Sequence, residues 1–296
     1  LLTNVLREEL RFKGLVMSEG SGFATIVQER LADNQKEAGI RAINAGVDVG
    51  ITYEPAYMAP MAENVREGKV HISKIDQALA LQAAKEGIVL LKNEGNLLPL
   101  DKKIKSIVVI GPNADNERNQ LGDYTSLSVL QDIVTVLDGI KNKVPASTKV
   151  GYVKGCDVLK TGLNEIEKAR KAAKGAEVAI VVVGENEWHA TDSQGNSIGT
   201  VGEGKDMASL DLTGLQEELI RAVHSTGTPT VVILINGRPL STRWVSENVQ
   251  AIVEAWIPGE KGGDAIADIL FGDYNPSGRL SITVPRHSGQ LPVYYN

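Results

Sequence analysis

The chain has 296 residues, 42% of them hydrophobic and 30 of them glycine, so it is long enough to bury a core in one large or two medium domains. Its formal net charge of −6 at pH 7 argues against a nucleic-acid or anionic-membrane partner, since either would attract clustered Lys and Arg. The single cysteine, Cys156, excludes an intrachain disulfide, and no apolar run reaches the roughly 18 residues of a membrane span.

Residues 1–80 predict two strand-to-helix units. Strands are expected at 14–18 and 47–51, a loop at 19–23, and helices at 29–45, 58–67 and 73–84. Short apolar strands that alternate with helices are typical of a parallel sheet with crossover helices. Two such units cannot close a barrel, so they predict part of a larger one.

Residues 85–296 repeat this alternation on a larger scale. Strands are expected at 106–110, 149–153, 176–183, 230–235, 251–256 and 280–284, and helices at 129–143, 166–173, 214–225 and 264–271. The pattern predicts an open α/β sheet with helices on both faces. Loops that bind a ligand should then leave the carboxyl ends of the strands, and Val183 ends one of them.

The segment 183–212 is a long, polar, glycine-rich loop after an apolar strand. Loops of this length are uncommon in compact domains and are usually functional or disordered. It concentrates carboxylates, which suit proton transfer and the binding of sugar hydroxyls. They are Glu185, Glu187, Asp192, Glu203, Asp206 and Asp211. The alternative interpretation is a solvated acidic surface loop.

Motifs for other chemistries are absent from the sequence. No GxGxxG follows a strand, and there is neither a Walker-type GK[ST] nor an HExxH. The four histidines are scattered along the chain. We therefore expect no cofactor and no metal.

Several blocks of sequence, in order, carry a resemblance to a known family. They include KGLVMSE at 13–19, AGVDVGI at 45–51, AAKEGIVLLKNEGNLLPL at 83–100, VVIGPNAD at 108–115, GEGKD at 202–206, INGRPL at 235–240 and EAWIPGEKGGDAIADILFGDYNPSGRLSITVP at 254–285. The chain resembles glycoside hydrolase family 3, the family of β-glucosidases and related exo-acting enzymes. The resemblance implies a (β/α)8-type barrel followed by an α/β sandwich domain, with the active site between them. Residues 1–80 would be the end of the barrel domain and residues 81–296 the sandwich, so the chain would be a fragment that works with the rest of the barrel.

The resemblance makes Glu19 the candidate nucleophile, with Ser18 beside it at the substrate. Glu19 ends a predicted barrel strand, where enzymes of this architecture place their chemistry. The family pattern is Ser-Asp, and the extra methylene of Glu moves the carboxylate by about 1.5 Å, a displacement that can cost about 100-fold in rate. Gly20 and Gly22 allow the backbone to compensate. The alternative is a strand-end Glu paired with a Lys or Arg.

Glu203 in GEGKD is the candidate acid/base. Retaining glycosidases need one ionised carboxylate and one protonated carboxyl, about 5 to 5.5 Å apart. The spacing of Glu203 to Asp206 matches the family's acid/base loop, although Met207 stands where an Arg is common. Asp206 is expected at the substrate, where its charge would raise the pKa of Glu203. Glu185 and Glu187 are the alternative acid/base residues.

Three further residues are candidates for contact with the sugar. Trp188, next to His189, offers an aromatic face on which the apolar side of a pyranose can stack, although a Trp anchored in the core fits the sequence equally well. Tyr53 and Glu54 follow a predicted strand end and should face the same cleft.

The function expected from the resemblance is a retaining exo-β-glycosidase, a β-glucosidase that hydrolyses terminal β-linked glucose in oligosaccharides or aryl β-glucosides by double displacement. The alternatives are a non-catalytic sugar-binding relative, and a β-xylosidase or other β-glycosidase of the same family. A periplasmic or secreted location is favoured over a cytoplasmic one, and a homodimer remains open.

Overall fold

A computed structural model describes residues 6, 9–11, 16, 22–47, 67, 69, 77–123, 125, 132–159, 162–187, 190–191 and 197–294. The chain divides into two compact units. One comprises residues 1–77 and 123–129, and the other comprises residues 78–122 and 130–296. The predicted domain assignment of residues 1–80 and 81–296 stays a prediction.

The first unit contains helices α1 (Gly22–Gln28) and α2 (Gln35–Ala45). The prediction of one helix over 29–45 preceded by a loop was wrong, because the helix begins later. The side chain of Asn34 accepts a hydrogen bond from the Glu37 amide and caps α2, whereas residues 29–34 form turns and bends. The strands predicted at 14–18 and 47–51 lie almost entirely outside the described residues.

The second unit is built on a six-stranded sheet. Its strands are β1 (Val89–Asn93), β2 (Ser106–Ile110), β3 (Lys149–Val153), β4 (Val178–Gly184), β5 (Thr230–Ile235) and β6 (Ala251–Trp256). Its helices are α3 (Gln77–Gly87), α4 (Val136–Lys143), α5 (Ile166–Lys174), α6 (Gln216–His224), α7 (Arg243–Asn248) and α8 (Gly262–Leu270). The strand order is β1-β6-β5-β4-β2-β3, with β1 antiparallel to β6 and all other pairs parallel. The predicted open α/β sheet is thereby confirmed.

Alternate residues of β2, β4, β5 and β6 face two separate hydrophobic cores. Ile180 and Val182 of β4 belong to the core under α4 and α8, whereas Val181 and Val183 belong to the core under α5, α6 and α7. Because both faces of β4 are covered, all seven of its residues are buried and it reads as one apolar run. β4 therefore lies at the centre of the unit, and the loop that follows it starts from a rigid position.

Helices α4 and α8 approach each other closely at two glycines. A Cβ atom on Gly139 would lie 2.1 Å from the Gly263 carbonyl oxygen, and one on Gly263 would lie 2.0 Å from the Thr135 carbonyl oxygen. Both distances are shorter than any allowed contact, so no residue larger than glycine fits here without separating the helices.

Several sequence predictions differ from the structure of this unit. Residues 280–284 form no strand, and the side chain of Ile282 is 47% exposed, so its apolar pattern does not correspond to a buried strand. The helix predicted from residue 129 begins at Val136, because Thr135 caps it through the Asp138 amide. Strand β1 and helix α7 were not predicted.

Candidate active-site loop

The loop after β4 leaves the sheet at a glycine that no other residue can replace. Gly184 has a φ of +141°, and a Cβ atom there would lie 1.9 Å from the Ile235 carbonyl oxygen. The buried Gln216 side chain accepts a hydrogen bond from the Gly184 amide at 2.8 Å and donates one to its carbonyl at 2.9 Å. Strand β5 and helix α6 thus fix the direction in which the loop starts.

Buried amide side chains hold the first residues of the loop. Asn113 donates a hydrogen bond to the Glu185 carbonyl at 3.1 Å, and Asn119 donates one to the Asn113 side-chain oxygen at 2.7 Å. The Asn119 side-chain oxygen in turn accepts a hydrogen bond from the Glu187 amide at 3.1 Å. All four residues are at most 5% exposed, so this part of the loop belongs to the protein interior.

Thr200 forms hydrogen bonds with the buried first residues of the loop. The Asn186 amide donates to the Thr200 hydroxyl at 3.0 Å, and the Thr200 amide donates to the Asn186 carbonyl at 3.2 Å. An antiparallel bridge between Thr191 and Ser197 lies between these points. Asn186 and Thr200 are therefore held together, and the segment 200–205, which carries Glu203, begins at a fixed position.

Glu185, an alternative acid/base candidate, is engaged in a buried ion pair. It is 4% exposed; its Oε1 lies 2.8 Å from Arg238 Nε, and its Oε2 accepts a hydrogen bond from the Gly237 amide at 3.1 Å. Burial raises the pKa of Glu185, while the charge of Arg238 and the hydrogen bonds from residues 237 and 238 oppose that increase. Glu187 is also buried, at 5% exposure. Neither residue presents its carboxyl group at the surface of the loop.

Arg238 joins this buried pair to the Glu203 segment. Its Nη2 donates hydrogen bonds to the carbonyls of Thr200 and of Lys205, the latter at 3.0 Å. The sequence prediction missed Arg238. The available signal was its place three residues after the carboxyl end of β5, the strand that pairs with β4.

Glu203 itself is exposed and lies between two glycines with positive φ. Gly202 has a φ of +127° and Gly204 a φ of +70°, and the Lys205 amide donates a hydrogen bond to the Gly202 carbonyl at 3.2 Å. Asp206 is also exposed, and the Lys205 ammonium donates to the Ser197 hydroxyl at 2.8 Å. Glu203 and Asp206 are thus accessible to a ligand, as an acid/base segment requires.

The other predicted site residues lie outside the described residues. They are Ser18, Glu19, Tyr53, Glu54 and Trp188, together with His189 next to Trp188. The predicted pairing of Glu19 with Glu203 across a substrate, and the contacts of these residues with a sugar, remain predictions.

A further buried carboxyl group lies close to this site, in β6. Glu254 is 2% exposed, and it accepts hydrogen bonds from the Trp256 amide at 3.0 Å and from the Asn236 side chain at 3.3 Å. Burial raises its pKa to about 7, and the charge of Glu185 contributes to the increase. Glu254 supports the turn that carries Arg238, because Asn236 also donates to the Arg238 carbonyl at 2.9 Å.

Within the part of the chain that the structure describes, no group of three or more His, Cys, Asp or Glu residues is arranged to hold a metal ion. Nor does any helix among those residues combine the length and the apolar composition needed to cross a membrane.

Comparison with family models covers nearly the whole chain. Residues 1–81 match the glycosyl hydrolase family 3 N terminal domain, and residues 88–296 match the glycosyl hydrolase family 3 C-terminal domain. The chain belongs to glycoside hydrolase family 3. The resemblance drawn from its sequence blocks is confirmed.

A curated β-xylosidase and a curated β-glucosidase align with the entire chain. It is 37% identical to a β-xylosidase from Formosa agariphila, with 100% of this chain and 46% of that protein covered. It is 33% identical to a periplasmic β-glucosidase from Salmonella typhimurium, with 100% of this chain and 45% of that protein covered. The chain thus spans a little under half the length of these relatives.

Solved structures of β-glucosidases share the fold. A β-glucosidase from Erythrobacter marinus is 31% identical with a TM-score of 0.63, over 100% of this chain and 46% of that one. The Listeria innocua β-glucosidase in complex with glucose is 28% identical with a TM-score of 0.63, over 99% of this chain and 43% of that one. These matches agree with an α/β sandwich domain built on the six-stranded sheet.

Proposed function

We propose that the protein containing this chain is a retaining β-glycosidase that removes terminal β-linked glucose from oligosaccharides or aryl β-glucosides. The observation that carries the proposal is that both family 3 domains match in order along the chain. The named relatives are a β-xylosidase and β-glucosidases, which supports hydrolysis of a β-glycosidic bond. The proposal needs no metal or other cofactor.

In the proposed mechanism, Glu19 is the nucleophile and Glu203 the acid/base. The ionised Glu19 carboxylate attacks the anomeric carbon while the Glu203 carboxyl donates its proton to the departing glycosidic oxygen, so that a glycosyl ester forms and the leaving group departs neutral. Glu203 then takes a proton from water, whose oxygen attacks the anomeric carbon and releases Glu19. Ser18, Tyr53, Glu54, Trp188 and Asp206 would contact the sugar.

Exposure supports Glu203 over the alternative acid/base residues. Glu203 is exposed on a segment with a glycine on either side, whereas Glu185 and Glu187 are at most 5% exposed. The Glu185 carboxylate is also occupied by Arg238 and by the Gly237 amide. A carboxyl group that must reach a glycosidic oxygen has to be accessible from the substrate side, and Glu203 meets this requirement.

The proposal also specifies the sugar that is removed. Glucose is our choice, and xylose is the second candidate because the Formosa agariphila relative is named a β-xylosidase. Location in the periplasm or outside the cell is supported by the name of the Salmonella typhimurium relative. Turnover of aryl β-glucosides and aryl β-xylosides, compared by kcat/KM, separates the two sugars.

A test of the proposal is covalent trapping on the natural full-length protein. The probe is a 2-deoxy-2-fluoro-β-glucosyl fluoride, with its xylosyl counterpart in parallel, and the labelled peptide is identified by mass spectrometry. We expect the label on Glu19, its loss in Glu19→Gln and its retention in Glu29→Gln, an exposed Glu in the turn after α1. Label on another carboxylate would refute Glu19 as nucleophile.

Glucose binding without label or turnover for either sugar would instead support the non-catalytic alternative, in which Glu at the usual Asp position has abolished catalysis. The trapping experiment distinguishes this case because a slow but genuine nucleophile still accumulates the fluorinated ester.

A further inference from the structure

One guanidinium group contacts both ends of the segment that carries Glu203. Arg238 Nη2 donates hydrogen bonds to the carbonyl of Thr200, three residues before Glu203, and to the carbonyl of Lys205, two residues after it. Lys205 is 33 residues away from Arg238 in sequence, so the contact joins two separate loops.

Buried residues of the same unit contact Arg238. Its Nε lies 2.8 Å from the Oε1 of the buried Glu185, which follows β4 directly. Its carbonyl accepts a hydrogen bond from Asn236 at 2.9 Å, and the amide of the preceding Gly237 donates to Glu185 at 3.1 Å. The carboxyl ends of the two central strands, β4 and β5, therefore form the support for the guanidinium.

The segment between the Thr200 and Lys205 carbonyls contains two glycines, which make its backbone flexible. Gly202 and Gly204 flank Glu203, and glycine loses more conformational freedom on ordering than any other residue. Fixing both ends of such a segment restricts where the Glu203 carboxyl can lie. A catalytic carboxyl must be held to within about 0.5 Å of its productive position, and a displacement of about 1 Å can cost 100-fold in rate.

We propose that Arg238 is a positioning residue for Glu203: it holds both ends of the segment 200–205 and so places the acid/base carboxyl at the glycosidic oxygen. This inference rests on the proposed function, in which Glu203 is the acid/base. Arg is required because its planar fork of donors reaches two carbonyls and the Glu185 carboxylate together, whereas a Lys ammonium supplies one compact charge.

The test compares Arg238→Lys with Arg243→Lys in the natural full-length protein. Arg243 is an exposed Arg of α7 paired with Glu247, so it is a matched control for the same substitution. Rates are measured on β-glucosides with a poor leaving group (methyl), an intermediate one (4-nitrophenyl) and a good one (2,4-dinitrophenyl). Rates are expressed per active site, titrated with the fluorinated glucosyl fluoride, so that misfolded protein does not count.

We expect Arg238→Lys to lower kcat/KM about 100-fold for the methyl glucoside and less than about 3-fold for the dinitrophenyl glucoside, because only the poor leaving group needs the proton. Arg243→Lys should change neither. Glu185→Gln removes the carboxylate that pairs with Arg238, so its loss of kcat/KM should depend on the leaving group in the same way. This variant provides the test if Arg238→Lys does not fold.

Equal losses for all leaving groups, or no loss, would overturn the positioning role. Glu203→Gln serves as the reference for direct loss of the acid. If Glu203→Gln shows the leaving-group dependence and the Arg238 and Glu185 variants do not, only this inference is wrong. If Glu203→Gln lacks that dependence, the acid role of Glu203 fails and the inference fails with it.

Discussion

Glu254 shows how one buried side chain couples stability to pH. It lies in β6 with 2% of its surface exposed, and burial raises its pKa to about 7. An unfolded Glu titrates near pH 4.3. Between about pH 4.3 and pH 7 the folded protein therefore binds more protons at this site than the unfolded chain, so the contribution of Glu254 to the free energy of unfolding falls as pH rises through that window.

Replacing Glu254 with Gln should remove this pH dependence. The shift corresponds to about 4 kcal/mol at most, so Glu254→Gln should gain stability relative to the wild type as pH rises from about 5 to about 8. Urea unfolding at a series of pH values measures the difference between the two proteins. Glu217→Gln, on a partly exposed pair with Arg221, is the control and should leave the slope unchanged. Parallel pH curves for Glu254→Gln and the wild type would contradict the argument.

For individual residues, the sequence shows where the carboxylates lie along the chain but not which of them are buried and paired. Six carboxylates in 183–212 make this loop a candidate, and the resemblance of GEGKD to the family's acid/base loop singles out Glu203. The burial of Glu185 and Glu187 could not be read from the loop's polar composition. It depends on Asn113, Asn119 and Arg238, which reach the loop from other parts of the chain.

Among the elements, the contact between α4 and α8 depends on glycine. Gly139→Ala places a methyl group 2.1 Å from the Gly263 carbonyl oxygen, so the two helices must move apart. We expect a loss of about 1–3 kcal/mol of stability and a fall of several degrees in the Tm of the second unit. Gly87→Ala is the control, because no atom lies within 4 Å of a Cβ atom at the end of α3.

Calorimetry of the two variants checks this expectation. Gly87→Ala should leave the Tm unchanged or slightly higher, since Ala favours helix over Gly. An unchanged Tm for Gly139→Ala would mean that α4 and α8 adjust without cost, contrary to the close packing described above.

The strands differ in how well the sequence predicts them. The apolar pattern gives β2, β3, β5 and β6 the same bounds that the structure has, because each is a short apolar run bounded by polar or glycine residues. Strand β1 was missed because VLLKN continues the apolar pattern of α3 and pairs only with β6, at the edge of the sheet. Its pairing is a tertiary contact that a local pattern does not contain.

For the whole molecule, the order of the sequence blocks carried more information than any single motif. It predicted the family and the α/β sheet, both of which are confirmed, and it placed Glu203 in the loop after β4. Arg238 was not found because its role depends on a contact with residues more than 30 positions away. The pairing of Glu19 with Glu203 stays a prediction, because Glu19 lies outside the described residues. The chain spans a little under half the length of its curated relatives.

The most direct test of the central claim is chemical rescue of Glu203→Ala in the natural full-length protein. With a 2,4-dinitrophenyl β-glucoside, departure of the leaving group needs no acid, so the variant should accumulate the glycosyl ester and turn over slowly. Azide should restore turnover and yield β-glucosyl azide, and Glu247→Ala, on an exposed pair of α7, should behave as the wild type. Unaltered activity in Glu203→Ala, or rescue by azide in Glu185→Ala instead, would contradict the assignment of Glu203 as the acid/base.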